Sequence, residues 1–306
     1  MSLDEKPILV MVVIYPGAEL YLNDYLESIN SQVYKDFQVL VLNDHASKDN
    51  CNLFPSNSII IDFKDNFTPA QIRQQGINFA IDNNYKYLIF TDIDDFFTNN
   101  RFYLSLKGLG IHDFVYNELV SVNSDKKILH DNLLSGMHIS NIFSNYEDII
   151  HRNFFGLSHT AVNVECLKDL VIPSKIMAVD WWIYTILLLK GKKGGFLANT
   201  KTYYRQTGKN FIGFSEGMDE NRLFLGIKVK KTHYEFIYKF CVENKFKNAA
   251  ICYELCLKEI NELSKALKDD EFRRKYIMVI NKNIDKIYNG WWSEILTLNR
   301  WRTYAT

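Results

Sequence analysis

Tyr87-Leu88-Ile89-Phe90-Thr91-Asp92-Ile93-Asp94-Asp95 is the stretch on which the reading of this chain turns. Five apolar or β-favouring residues run straight into three carboxylates. A continuous apolar run of that length is the pattern of a strand covered on both faces. The carboxylates then fall at the strand's carboxyl end. In an open parallel sheet, that rim is where ligands bind.

Toward the N-terminus the same rhythm repeats. Residues 8–14 (ILVMVVI) form a first strand, ended by Pro16-Gly17. Leu22, Leu26, Ile29 and Val33 then fall at helical spacing over residues 20–33. Residues 37–42 (FQVLVL) give a second strand, closed by Asn43-Asp44-His45-Ala46-Ser47. Residues 58–63 give a third. Residues 69–81 read as a helix with Thr68 as N-cap and Pro69 at its first position. Strand–helix alternation predicts βαβ units and a mostly parallel, Rossmann-like sheet flanked by helices.

Toward the C-terminus, residues 113–117 read as a strand and 118–153 as loop with short helices. Residues 154–164 hold an antiparallel strand. Asp180 precedes an apolar helix over 181–190, which Gly191 can cap, and 196–205 supply the last strands. Beyond 215 charged and apolar residues mix at helical spacing without a proline. The expected division is an α/β domain over 1–214 and a helical appendage over 215–306.

The chain has 306 residues, with 36 Lys and Arg balancing 36 Asp and Glu, so no general nucleic-acid binder is expected. The five cysteines include no C-x-x-C pair and read as reduced thiols of a cytoplasmic protein. No stretch has the roughly 18 to 20 apolar residues of a spanning helix, and residues 1–6 lack a signal-peptide pattern. Peripheral contact with the inner face of the membrane and homo-oligomer formation stay open; Trp291, Trp292 and Trp301 could anchor either, or simply pack.

Two acidic clusters lie at strand ends: Asp44, and Asp92 with Asp94 and Asp95. Carboxylates crowded there repel one another unless a cation or hydrogen-bond donors compensate. Hard oxygen donors suit Mn²⁺ or Mg²⁺, and one or two carboxylates plus substrate phosphates complete such a site.

The segments carrying these residues resemble a known family in order and spacing. Residues 42–49 (LNDHASKD) are similar to the "VDDGSxD" segment of family 2 glycosyltransferases of the GT-A fold. Residues 70–77 (AQIRQQGI) resemble its "ARNxGI" helix, and Phe90-Thr91-Asp92-Ile93-Asp94-Asp95 its "FLDaDD", the D-x-D metal motif. Val179-Asp180-Trp181-Trp182 sits where the family's "ED" opens a helix, and residues 203–210 (YYRQTGKN) resemble "YRxHxxN". The departures are Asn43 for an Asp, His45-Ala46 in the turn, Gln74 for Asn and Val179 for Glu.

The resemblance implies an inverting, metal-dependent transfer from a nucleotide-diphosphate sugar, of UDP type, in polysaccharide or glycoconjugate synthesis. It implies a saccharide or lipid-linked saccharide acceptor. Tyr15 and Asp44 would meet the nucleoside, Asp92 the ribose and metal, Asp94 the metal, and Arg73 the donor. Arg205 would meet phosphate or acceptor, and Asp180 would take the acceptor's proton. Trp181 or Trp182 could stack on acceptor sugar. Three other readings compete: a haloacid-dehalogenase-type phosphatase, a nucleotidyltransferase, and an inactive sugar-nucleotide-binding scaffold. The phosphatase wants its Asp-x-Asp near the N-terminus, and the nucleotidyltransferase wants a glycine- and base-rich loop that residues 15–19 lack.

Overall fold

A computed structural model of the chain describes residues 6–137, 140–206 and 217–305. The chain forms two compact units. The first comprises Met1–Ser144, Phe155–Ser174 and Lys190–Asn210, and the second Asn145–Phe154, Lys175–Leu189 and Phe211–Thr306. The helical part therefore takes in two segments from the middle of the chain. The expected boundary at 214/215 lies outside the described residues.

The first unit runs β1 (Lys6–Ile14), α1 (Glu19–Asn30), β2 (Gln38–Asn43), α2 (Lys48–Cys51), β3 (Ile59–Asp62), α3 (Pro69–Asp82) and β4 (Tyr85–Phe90). It continues through β5 (Phe96–Phe97), α4 (Arg101–Leu109), β6 (Phe114–Asn123), β7 (Ile128–His130), α5 (Leu133–Gly136), β8 (Ile142–Phe143), β9 (Thr160–Asn163) and β10 (Gly194–Gln206). The strands make one ten-stranded sheet, ordered β3-β2-β1-β4-β9-β6-β10-β5, with β7 on β6 and β8 on β10. β3, β2, β1 and β4 are parallel. β9 lies antiparallel between β4 and β6, as its sequence predicts. The sheet is thus parallel in its N-terminal part and mixed beyond β4.

β1, β2 and β4 are apolar because both of their faces are covered. Val10, Val12, Ile14, Val39, Val41 and Ile89 pack with Leu22, Tyr25 and Ile29 of α1. α3 starts as expected, with a capping box between Thr68 and Gln71 that satisfies end amides on both sides. Gly76 lets this helix approach closely. A Cβ there would fall 2.1 Å from Met11 Sδ and 2.9 Å from Leu42 Cδ1.

Several elements differ from the sequence reading. Helices α2 and α4 and the short strands β5, β7 and β8 were not expected, and β6 runs six residues past 117. Polar residues in a buried strand hide its pattern. Asn117 Nδ2 donates to Thr202 Oγ1 at 3.0 Å, and the buried Glu118 carboxylate accepts from Leu134 N at 2.7 Å and Ser135 N at 3.1 Å.

The second unit holds α6 (Val179–Leu189), α7 (Glu220–Glu243), α8 (Lys247–Ala266), α9 (Asp270–Lys282), α10 (Ile284–Ile287) and α11 (Leu298–Arg302). α6 is apolar all round because nearly every residue in it is buried. Trp291, Trp292 and Trp301 are buried too, with Trp301 stacked on Tyr276 at 5.9 Å between ring centroids. Packing explains these tryptophans, and none of the three is an exposed anchor. Among the described residues no helix is long and apolar enough to cross a membrane.

Candidate active site

Parallel pairing sends the chain out of β1, β2 and β4 at one rim. Ile14 pairs with Asn43 and Met11 with Phe90 in register, so Tyr15, Asp44 and Asp92 all follow strand ends on that side. Asp44 N donates to Ile14 O at 2.8 Å, and Thr91 N to Met11 O at 3.0 Å. Thr91 Oγ1 also donates to Met11 O at 2.9 Å and shares a 2.8 Å hydrogen bond with the Tyr25 hydroxyl. The last residue before the acidic turn is therefore fixed from two sides.

Asp92 is about one-third exposed, and Arg73 Nη2 on α3 lies 3.5 Å from its Oδ1. Burial raises the Asp92 carboxyl above its ordinary range, while Arg73 and Arg101 pull it back. Burial, with the charge of Asp92, lifts Asp94 to about 6. Asp95 is buried and pushed up further, by burial and both neighbours. Burial and the same carboxylates raise the Tyr15 hydroxyl, Asp94 foremost among them, so Tyr15 shares the acidic surroundings. The rim thus brings Tyr15, Arg73, Asp92 and Asp94 into one electrostatic group. Asp44 stands at the end of the neighbouring strand, with His45 Nε2 3.7 Å from its Oδ1. His45 takes a left-handed φ of 65°, which is where the family's small turn residue would sit more easily.

Arg205 is placed differently from its expected role. It is 2% exposed, and protein groups engage its guanidinium: Nε donates to Asp94 O, Nη1 to Ser124 O and Nη2 to Asp24 Oδ2, at 2.9, 2.8 and 2.6 Å. An arginine so engaged is held away from a phosphate. The rest of the "YRxHxxN"-like segment, from Thr207, lies outside the described residues.

Asp180, Trp181 and Trp182 belong to the second unit. Asp180 lies in the first turn of α6, half-buried, and its Oδ1 accepts from Trp181 N at 2.7 Å. Trp181 is fully buried, stacked on His233 at 3.9 Å, with its Nε1 donating to Ile149 O at 2.8 Å. Trp182 is buried among Phe236 and Phe240. Both are core, which corrects the expectation that one would offer a face to an acceptor sugar.

The fold has counterparts among solved structures. S. aureus TarS 1–349 in complex with UDP-GlcNAc superposes with a TM-score of 0.56 at 13% identity, over 98% of this chain and 90% of that one. GalNAc-T7 with UDP, GalNAc and Mn²⁺ gives 0.52 at 10% identity, over 66% and 44%. The fold is GT-A. No family model matches the chain. It is 29% identical over 124 residues to an uncharacterized glycosyltransferase of Rickettsia bellii, covering 39% of this chain and 17% of that protein. It is 23% identical over 265 residues to another from Rickettsia felis, covering 84% and 41%. The chain spans less than half the length of either curated relative.

The GT-A fold sets aside the phosphatase reading, since the acidic turn follows β4 and not the first strand. Among the described residues no three His, Cys, Asp or Glu side chains could hold a metal by themselves. The fit is instead to an ion completed by a ligand. Asp92 and Asp94 offer partly exposed oxygen donors, and burial together with Asp92 disfavours the charge on Asp94, a cost that a bound cation would offset.

Two residues near this GT-A rim escaped the sequence reading, and a third, Gln74, was read only as a departure from the family's pattern. Arg101, fully buried, donates from Nη2 to Phe90 O at 2.8 Å, the last carbonyl of β4, and offsets the burial of Asp92. An arginine amid the apolar residues after Asp95 was the available signal. Asp24 pairs with Arg205, and Gln74 brackets the segment 170–172 by donating to Leu170 O and accepting from Ile172 N. Asp24 gave no signal, because it reads as the solvated face of α1.

Proposed function

We propose that this chain transfers a sugar from a UDP-type nucleotide donor to an acceptor hydroxyl with inversion at the anomeric carbon. The carrying observation is the shared rim of β1, β2 and β4, where Tyr15, Asp44 and Asp92 leave the sheet side by side. Tyr15 and Asp44 hold the nucleoside, Asp92 the ribose, and Arg73 orients Asp92 toward the donor. Asp92 and Asp94 hold Mn²⁺ or Mg²⁺. The chemistry such an ion would supply there is neutralisation of the charge on the departing diphosphate. Asp180 accepts the proton of the attacking hydroxyl, a role worth roughly 10²- to 10⁴-fold in rate. Bound UDP-GlcNAc in TarS, and UDP with Mn²⁺ in GalNAc-T7, support this choice of donor and ion. The acceptor is a saccharide or lipid-linked saccharide, met at the cytoplasmic side of the membrane.

Incubation with UDP-sugars and Mn²⁺ should release UDP slowly even without acceptor, since water can replace the hydroxyl. Asp180→Asn should abolish that release by about 10²-fold or more while UDP affinity holds. No UDP release from any UDP-sugar by the unaltered chain would return the scaffold reading. Full turnover in Asp180→Asn would remove the base. NMR of the first-formed product should show the inverted anomer, and the retained one would overturn the stereochemistry.

A further inference from the structure

The side chains of Asp24 and Arg205 lie behind the acidic turn, and the proposed reaction gives neither any chemistry. We propose that they are positioning residues: a charge clamp, built on a buried arginine, that fixes the Asp94-Asp95 turn against α1 and so sets where Asp94 meets a divalent cation. The clamp rests on the metal-dependent reading above.

Three segments converge on Arg205. Its main-chain N–H donates to Asp95 Oδ1 at 2.9 Å and its Nε to Asp94 O at 2.9 Å, so one residue grips both halves of the turn. Nη1 reaches Ser124 O at 2.8 Å, in the turn after β6, and Nη2 reaches Asp24 Oδ2 on α1 at 2.6 Å. The other Asp24 oxygen takes Lys126. The guanidinium lies over the rings of Tyr21 and Phe96, 5.2 and 5.4 Å from their centroids, and Phe96 stacks on Tyr203 at 4.6 Å. These rings cover the buried guanidinium, which strengthens its attraction to Asp24. Only a planar fork of donors can serve three directions at once, so lysine cannot substitute.

The pair holds the very peptide whose side chain is the expected metal ligand. Groups that orient metal ligands typically change metal affinity by about 10- to 100-fold when removed.

The test measures, by titration calorimetry on the full chain, the gain in UDP affinity on adding Mn²⁺. The unaltered chain is compared with Asp24→Asn, Asp24→Glu and Arg205→Lys. Asp24→Asn and Arg205→Lys should lose about 10- to 100-fold of that gain, and Asp24→Glu, which keeps the charge, should recover most of it. Asp24→Asn is near-isosteric on a helix surface and keeps the comparison alive should Arg205→Lys fold poorly. An unchanged Mn²⁺ gain in folded Asp24→Asn would overturn the clamp while leaving the functional reading intact. No Mn²⁺ gain in the unaltered chain would overturn both, and that outcome is read without any variant.

Discussion

At the scale of single residues, the charge of Asp94 works against stability. Its carboxyl protonates at about 6 in the fold, above an ordinary 3.8, because burial and Asp92 disfavour the charge. Between those values the folded chain binds more protons than the unfolded one, so stability falls as pH rises through the window and the penalty is complete above it. Metal-free Asp94→Asn should therefore melt higher than the unaltered chain at about pH 8, with the difference shrinking toward about pH 4. A lower melting temperature for the variant at the higher pH would contradict this account of the charge. Tyr15, Asp44, Asp92 and Asp94 were legible in the sequence because each follows an apolar run, and the run itself fixes where the residue emerges. Arg205 was misread and Asp24 missed for the opposite reason: their bond joins positions 181 residues apart, and no local pattern records it.

At the scale of elements, α3 carries Arg73 to Asp92, and Gly76 is what permits the approach. Gly76→Ala would push a methyl group against Met11 and Leu42, both buried. Overpacking of this kind costs about 1–3 kcal/mol, to be read from urea denaturation. A cost near zero would mean that Met11 yields freely and that the close approach is incidental. In α7, Lys230 is buried, its Nζ donating to Ile295 O at 2.9 Å, and burial lowers its pKa to about 7. The unfolded chain keeps that proton up to the usual lysine range, so the folded state gains stability as pH rises above about 7. Lys230→Met should raise the melting temperature, more at about pH 6 than at about pH 9. A uniform loss at both would show that the hydrogen bond outweighs the buried charge. β1 to β4 with α1 and α3 were legible because burial on two faces leaves a continuous apolar run. The end of β6 was not, because Asn117, Glu118 and Ser121 are buried with polar partners and imitate a loop.

At the scale of the molecule, the sequence placed the acidic turn, the GT-A sheet and the run of C-terminal helices in order. It did not show that residues 145–154 and 175–189 pack in the helical unit. That grouping comes from buried aromatic contacts such as Trp181 on His233, which no periodicity encodes. The same contacts turned two candidate acceptor residues into core. The proposed function turns on a divalent ion that Asp92 and Asp94 would hold at the rim of β4. Crystals grown with UDP and Mn²⁺ and measured at the manganese edge test it most directly. The anomalous peak should lie beside the carboxylates of Asp94 and Asp92, bridging to the diphosphate. Bound UDP with no manganese peak there, or with the peak away from both side chains, would contradict the account.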